Sequence, residues 1–403
     1  MKKFCTLLFV VSMFSAASNG QILKKLKDKI KDKTNQRVDQ KEDQTIDKTL
    51  DKTEDATKKK EASDNGSDNS SNNTTDGKQV VAGPPSLKTY ANYDFVPGDT
   101  VIFESNLADE QTGEIPSQFT LANGQMDVQA EDGENVIHVP KGPGATMTPR
   151  MTNATYMPDK FTIELDFKNE SFGLNHLMID FGHRVYYSGG EGITPGLTFG
   201  SDDIDWTLGG VEYPAALKAA LEDPMKWHHV AIAVNKSVGK VYVDQYRVAN
   251  VNNLTGKPQN VTIDVNGYEN SFIKNIRIAA GGIDIYKQTT TPSRIVMHGI
   301  LFDVDKATLK PESMGSINQI FNLMKKDPSL KFEIDGHTDN TGSSAHNLDL
   351  SQQRADAVKT KLVAMGIDAA RLTTKGFGDS KPIENNDTPE GKANNRRVEF
   401  IKQ

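Results

Sequence analysis

The chain has 403 residues, of which 36% are hydrophobic and 25% charged, with a formal net charge of −7. That length has room for two or three domains, and an acidic balance with no strongly basic domain excludes a typical nucleic-acid binder. The one cysteine, Cys5, lies among the first residues, so a disulfide framework is excluded.

Residues 1–20 read as a secretory signal peptide. Lys2 and Lys3 precede an apolar run from Thr6 to Phe14, and small residues follow at Ser15, Ala16, Ala17, Ser18 and Gly20. The run is too short to span a bilayer as a mature helix. Cys5 comes before the apolar run, whereas a bacterial lipoprotein cysteine comes after it. No later stretch is a candidate membrane helix, so the expected product is exported and either soluble or held to a surface by binding.

Residues 21–86 are a charged, low-complexity segment. Leu23, Leu26, Ile30, Val38, Ile46 and Leu50 form a stripe too narrow to bury much, which predicts a partly helical spacer. "SDNGSDNSSNNTTDGK", from Ser63 to Lys78, has no apolar residue to collapse around and reads as disordered linker.

Residues 87–288 carry strand signals. "FTIELDF" alternates from Phe161 to Phe167. "WHHVAIAVNKSVGKVYVDQYRVANV" gives two alternating runs joined by a turn at Asn235 to Gly239, and "NVTIDV" and "SFIKNIRIAAGG" continue the pattern. A short helical piece is expected at Tyr213 to Glu222. Many short strands over about two hundred residues predict a β-sandwich of jelly-roll type. Trp227-His228-His229-Val230 followed by Lys240-Val241-Tyr242-Val243-Asp244 resembles the LamG and concanavalin-like sandwiches, with Gln245 where those have a turn glycine. The resemblance implies a glycan or protein ligand for the sandwich. It also raises an alternative function, a wall-localised glycoside hydrolase.

A hydrolase of that kind needs paired carboxylates. Glu164 and Asp166 share a strand face, but the next position on that face is Lys168, and Glu170 comes two residues too late. The two acids are therefore expected to face solvent on an edge or outer strand. His228 and His229 point to opposite faces and cannot share a metal. The acids of "GSDDIDW" lack the spaced loop of a calcium motif. The expectation is a protein with no catalytic residues, metal or cofactor.

The period changes again in residues 291–403. Ile317, Ile320, Phe321 and Met324 mark one helical face, and Ala355, Val358, Leu362 and Met365 mark another that Gly366 stops. "KFEIDG", "RLTTKGFG" and "RRVEFIK" read as strands, giving an α+β unit. "ILFDVDKATLKPES", "IDGHTDNTGS", "NLDLSQQRADAVKTKLVAMGI", "RLTTKGFGDSKPI" and "NNRRVEF" stand in the order and spacing of the OmpA-like peptidoglycan-binding domain, which this quarter of the chain closely resembles. The expected architecture is thus multidomain: a β-sandwich followed by an α+β OmpA-like domain.

That resemblance implies noncovalent binding of the peptidoglycan stem peptide, at the periplasmic side of the outer membrane of a Gram-negative cell. A diaminopimelate end carries one ammonium and one carboxylate on the same carbon. An aspartate held in a polar loop suits the first, and the planar fork of an arginine suits the second. By resemblance Asp339 and Arg354 fall on the two principal ligand positions. Thr341, Asn347 and Arg397 match accessory positions, and Asp305 stands where relatives often carry Asn. Arg354 is read as lying in the first turn of its helix, with Ser351 as the N-cap. His337 is read as a residue that positions the loop. Arg396 and Arg397 are read as neighbours in a strand, pointing to opposite faces.

Overall fold

The structure, a computed structural model, describes residues 87–105, 107–171, 174, 177–182, 196–206, 210–282 and 293–403. The expected signal peptide (1–20) and charged segment (21–86) lie outside the described residues. All described residues belong to one compact unit.

Two antiparallel sheets make up the first part. The eight-stranded sheet runs in space Tyr246–Val251, Val238–Val243, His228–Asn235, Lys160–Asn169, Ser271–Ala280, Glu134–Val139 and Asp127–Glu131, and Thr100–Glu104 also pairs with Ser271–Ala280. The seven-stranded sheet runs Val211–Glu212, Asp203–Asp205, Leu197–Phe199, Leu177–Asp180, Thr262–Val265, Ala145–Pro149 and Phe119–Gly124. Alternation explains their packing. Phe161, Ile163, Leu165 and Phe167 lie on one face of their strand and share a core with Ile179, Phe199 and Ile263 of the other sheet. Each such side chain contributes about 1.5–3 kcal/mol on burial. The run starting at Trp227 yields three strands rather than two. Its first turn is closed by the pair Asn235 and Val238. In the second, Asp244 carries the left-handed backbone (φ 50°), so Gln245 can occupy the next position without being glycine. The helical piece is Ala215–Leu221, which buries Leu217 and Leu221.

The second part is a four-stranded sheet in the order Arg294–Met297, Val398–Lys402, Phe332–His337 and Leu372–Gly378. Its last two strands are parallel, and the long helix Ser344–Ala364 makes the crossover between them. Ile317, Ile320 and Met324 of helix Met314–Lys326 join Ala355, Val358 and Leu362 over Phe332, Ile334 and Phe400. Gly366, at φ 102°, closes the long helix: its N–H donates to Val363 O at 2.9 Å, and Ile367 N–H donates to Leu362 O at 3.1 Å.

Four expectations are corrected here. The long helix begins at Ser344, not near Ser351, because Ser343 is its N-cap and accepts from His346 N–H at 3.3 Å. Its first turns carry polar residues toward the site, so apolar periodicity alone starts too late. Arg354 therefore lies in the middle of the helix. Arg396 and Arg397 are not strand residues. Arg396 is the C-cap of helix Pro389–Asn395, and the strand begins at Val398.

The third correction concerns Leu87 to Phe95, read with the sandwich. Tyr90, Tyr93 and Phe95 belong to the core of the second part, together with Ala231 and Tyr242 from the outer face of the eight-stranded sheet. Tyr93 and Phe95 each meet the Tyr242 ring edge-on at 5.4 Å. Asn394 clamps Val101, accepting from its N–H at 2.9 Å and donating to its carbonyl at 3.0 Å. The fourth follows from this cover. Glu164 and Asp166 do not face solvent: their strand is central, Glu164 is only 4% exposed, and both line a cavity between the two parts.

Candidate functional site

The strand Phe332–His337 delivers its chain into the loop that holds Asp339. The long helix lies close on this strand, because a side chain at Gly336 would meet Ser351 O at 2.2 Å. Ser351, inside the helix, accepts from Gly378 N–H at 2.8 Å and so ties the helix to the parallel strand. Asp339 is fixed from several sides. Its Oδ1 accepts from Thr341 N–H at 2.9 Å, and its Oδ2 accepts from Arg396 Nη1 at 2.7 Å. Buried Asn347 donates to the Asp339 carbonyl at 3.2 Å. Burial pushes the Asp339 carboxyl up, but Arg396 and the Thr341 N–H outweigh it, and the group stays below the ordinary carboxylate range.

Arg354 does not pair with Asp339. Its Nε donates to Lys306 O at 3.0 Å, and its guanidinium carbon stands 5.0 Å from the centre of the Phe302 ring. Among the described residues no carboxylate lies within ion-pair distance of it. Burial and then the neighbouring Arg396 draw its pKa down, and Asp339 and Asp305 oppose this. An oriented guanidinium without an acid partner can take a carboxylate.

Arg396 is the residue that the sequence reading passed over. It bridges two acids, Asp339 at 2.7 Å and Glu104 of the sheet strand Thr100–Glu104 at 2.5 Å. Burial lowers its pKa, but these acids raise it overall. Its signal was present in "NNRRVEF", one position before the residue named. Glu104 gave no signal, since nothing local in sequence ties it to the loop.

The other expected residues take varied places. Arg397 is buried; its Nε donates to Glu399 Oε1 at 2.6 Å and its Nη2 to Lys381 O at 3.0 Å. Asp305 is exposed and pairs with His346 at 2.5 Å. His337 ends its strand, buried, with its ring stacked 5.3 Å from Phe377. Burial and then Arg397 pull its pKa down to about 4, so the ring is neutral at physiological pH. Asp335, His337 and Glu399 bring ligand-type atoms within 4.8 Å of one another. Two guanidiniums, of Arg294 and Arg397, already meet Glu399 where a cation would sit. Burial works against the Glu399 carboxylate, but those arginines hold it at about 2. This cluster is an ion-pair network.

Arg354 and Arg396 open onto a cavity of about 480 Å³. Its other wall is the outer face of the eight-stranded sheet, where Glu164, Asp166, His229 and Arg277 converge. Among the described residues no helix is long and apolar enough to cross a membrane.

Comparison with known proteins places residues 301–396 in the OmpA family. The C-terminal part of this chain is therefore an OmpA family domain. Outer membrane porin F of Pseudomonas fluorescens is 44% identical over 100 residues, 25% of this chain and 31% of that protein. The peptidoglycan-binding protein ArfA of Mycobacterium tuberculosis is 43% identical over 102 residues, 25% of this chain and 31% of that protein. The solved peptidoglycan-associated lipoprotein of Burkholderia pseudomallei is 30% identical, covering 26% of this chain and 88% of that one, with a TM-score of 0.25. The chain spans about a third to a half of the length of such curated relatives.

Proposed function

We propose that this is an exported, non-catalytic protein of the cell envelope that binds peptidoglycan noncovalently and tethers envelope components to the wall. The observation that carries this reading is the OmpA family domain whose loop presents a fixed, ionised Asp339 near an arginine, Arg354, that has no carboxylate within ion-pair distance among the described residues. Asp339 takes the ammonium of a diaminopimelate-type end, and Arg354 takes its carboxylate in a forked pair. Thr341 and Asn347 hold the Asp339 loop, and Arg397 supports the wall of the pocket through Glu399. Residues 1–20 serve as signal peptide, residues 21–86 span the gap to the wall, and the protein works on the periplasmic side of the outer membrane. The two-sheet part is read as a LamG or concanavalin-like sandwich with a glycan or protein ligand of its own.

Asp339→Ala and Arg354→Ala are each expected to weaken retention on purified sacculi about 10- to 100-fold, the equivalent of one or two charge-assisted bonds. Full retention of both variants in a pull-down would remove the site assignment.

One observation favours a second reading, a glycoside hydrolase. Two acids on one strand have opposite tendencies: burial drives Glu164 up, while for Asp166 burial is outweighed by His229, through its hydrogen bond and its charge, together with the Asn275 hydrogen bond, and the group is held down. New reducing ends on incubation with β-glucans or peptidoglycan would favour it over the first.

A further inference from the structure

The sheet wall of the cavity has more hydrogen-bonding capacity than its neighbours use. Glu164 Oε1, His229 Nε2 and Arg277 Nε are buried, and among the described residues none has a hydrogen-bond partner. The three side chains are close but not bonded to each other: His229 Nε2 lies 3.7 Å from Glu164 Oε2, and Arg277 Nη1 lies 3.8 Å from Glu164 Oε1. Their other atoms are fixed. His229 Nδ1 meets Asp166 Oδ1 at 2.8 Å, Asn275 donates to Asp166 Oδ2 at 2.6 Å, and Arg277 Nη1 donates to His298 O at 3.2 Å. Buried polar atoms in folded proteins are paired in the great majority of cases, so three unpaired polar atoms on residues that line one cavity need a reason. Their cost is not repaid within the protein.

The set is one acceptor, Glu164, beside two donors, Arg277 and His229. Burial opposes charge on His229, but Asp166 more than offsets this and raises its pKa to about 9, so both its nitrogens carry protons at neutral pH. An added carboxylate would meet Glu164 and an added ammonium would meet Arg277, so neither ion fits. A neutral group that both donates and accepts fits: its N–H to Glu164, its carbonyl oxygen to Arg277 and His229. A peptide amide is such a group, with its donor and acceptor on adjacent atoms.

We propose that this wall is a subsite for a peptide amide of the same ligand whose zwitterionic end is held at Asp339 and Arg354, so that both parts of the molecule read one stem peptide. The inference rests on the peptidoglycan-binding reading. The link is spatial: Arg354 and Arg396 line the same cavity as Glu164, His229 and Arg277.

The test is calorimetry on the full chain with two probes, free meso-diaminopimelate and the tripeptide L-Ala–γ-D-Glu–meso-diaminopimelate. Wild type is expected to bind the tripeptide at least about tenfold more tightly than the free diamino acid, the size of one charge-assisted bond. Glu164→Met removes the acceptor without breaking an existing hydrogen bond. It should abolish the tripeptide advantage while free diaminopimelate, which reaches only Asp339 and Arg354, keeps its wild-type affinity. Glu164→Gln, which retains an acceptor oxygen, should keep most of the advantage. A tripeptide no tighter than free diaminopimelate in wild type, or an undiminished advantage in Glu164→Met, overturns the proposal. Asp339→Ala separates the two failures. If it loses both probes while Glu164→Met loses nothing, the subsite falls and the wall-binding reading stands. If wild type binds neither probe, both fall.

Discussion

Glu399 and Glu164 are two glutamates in similar positions with opposite fates. Each lies on a central strand and is 4% exposed. Glu399 is met by Arg397 at 2.6 Å and by Arg294 Nε at 2.6 Å, and its pKa falls to about 2. Glu164 has its nearest cations at 3.7 and 3.8 Å, one oxygen unpaired, and a pKa pushed up by burial. The Glu399 carboxylate is closed, because each of its oxygens meets a guanidinium, while beside it Asp335 Oδ1 and both His337 ring nitrogens have no partner among the described residues. The Glu164 carboxylate is open. Equal burial thus says little about role, and the completeness of the hydrogen bonding decides it.

The strongest way to break the comparison is Arg397→Met, which leaves Glu399 buried with half its partners. Removing one member of a buried pair costs about 3–5 kcal/mol, so denaturant melts should show a loss of that order. A loss below about 1 kcal/mol would mean that Glu399 does not depend on its guanidinium partners.

The next effect is on pH dependence. His337 belongs to the Glu399 cluster, and burial and then Arg397 lower its pKa from 6.5 to about 4. The unfolded chain then binds more protons than the folded one between those values. Stability contributed by the neutral ring is present above about pH 6.5 and lost as pH falls toward 4. His337→Gln should flatten the stability profile in that window by on the order of 3 kcal/mol relative to wild type.

Glu164→Gln tests the open side and should have the opposite sign. A group whose folded pKa is raised contributes stability below its unfolded value, lost as pH rises through the folded value. Burial therefore works against its charged form, and the amide, which carries no charge, should gain about 1 kcal/mol in thermal melts. A loss of more than about 1 kcal/mol would place Glu164 with Glu399 as a structural group. The smallest effect is expected at Asp305, whose ion pair with His346 is largely in solvent. Asp305→Asn should change stability by less than about 1 kcal/mol.

The sequence by itself determined the alternating strands, the helical face at Ile317 to Met324, the stop at Gly366 and the motif register of the C-terminal domain. These features are local: period two, period 3.6 and one residue with a left-handed backbone are written in neighbouring positions. The loop of Asp339 and the helix of Arg354 were legible for the same reason, one strand–loop–helix unit. Where the reading failed, the cause was distance along the chain or a change of period. Ser343 caps the long helix behind polar residues that hide its first turns. Tyr93 leaves the sandwich to pack under Tyr242, 149 positions later by number (242 − 93). The docking of the two parts took Glu164 and Asp166 from an expected solvent face into a cavity and gave Arg396 two acids to bridge, while Arg354 has no acid within ion-pair distance among the described residues. Only the tertiary structure decides such matters, because burial and partner choice depend on which surfaces meet, and no local pattern encodes that.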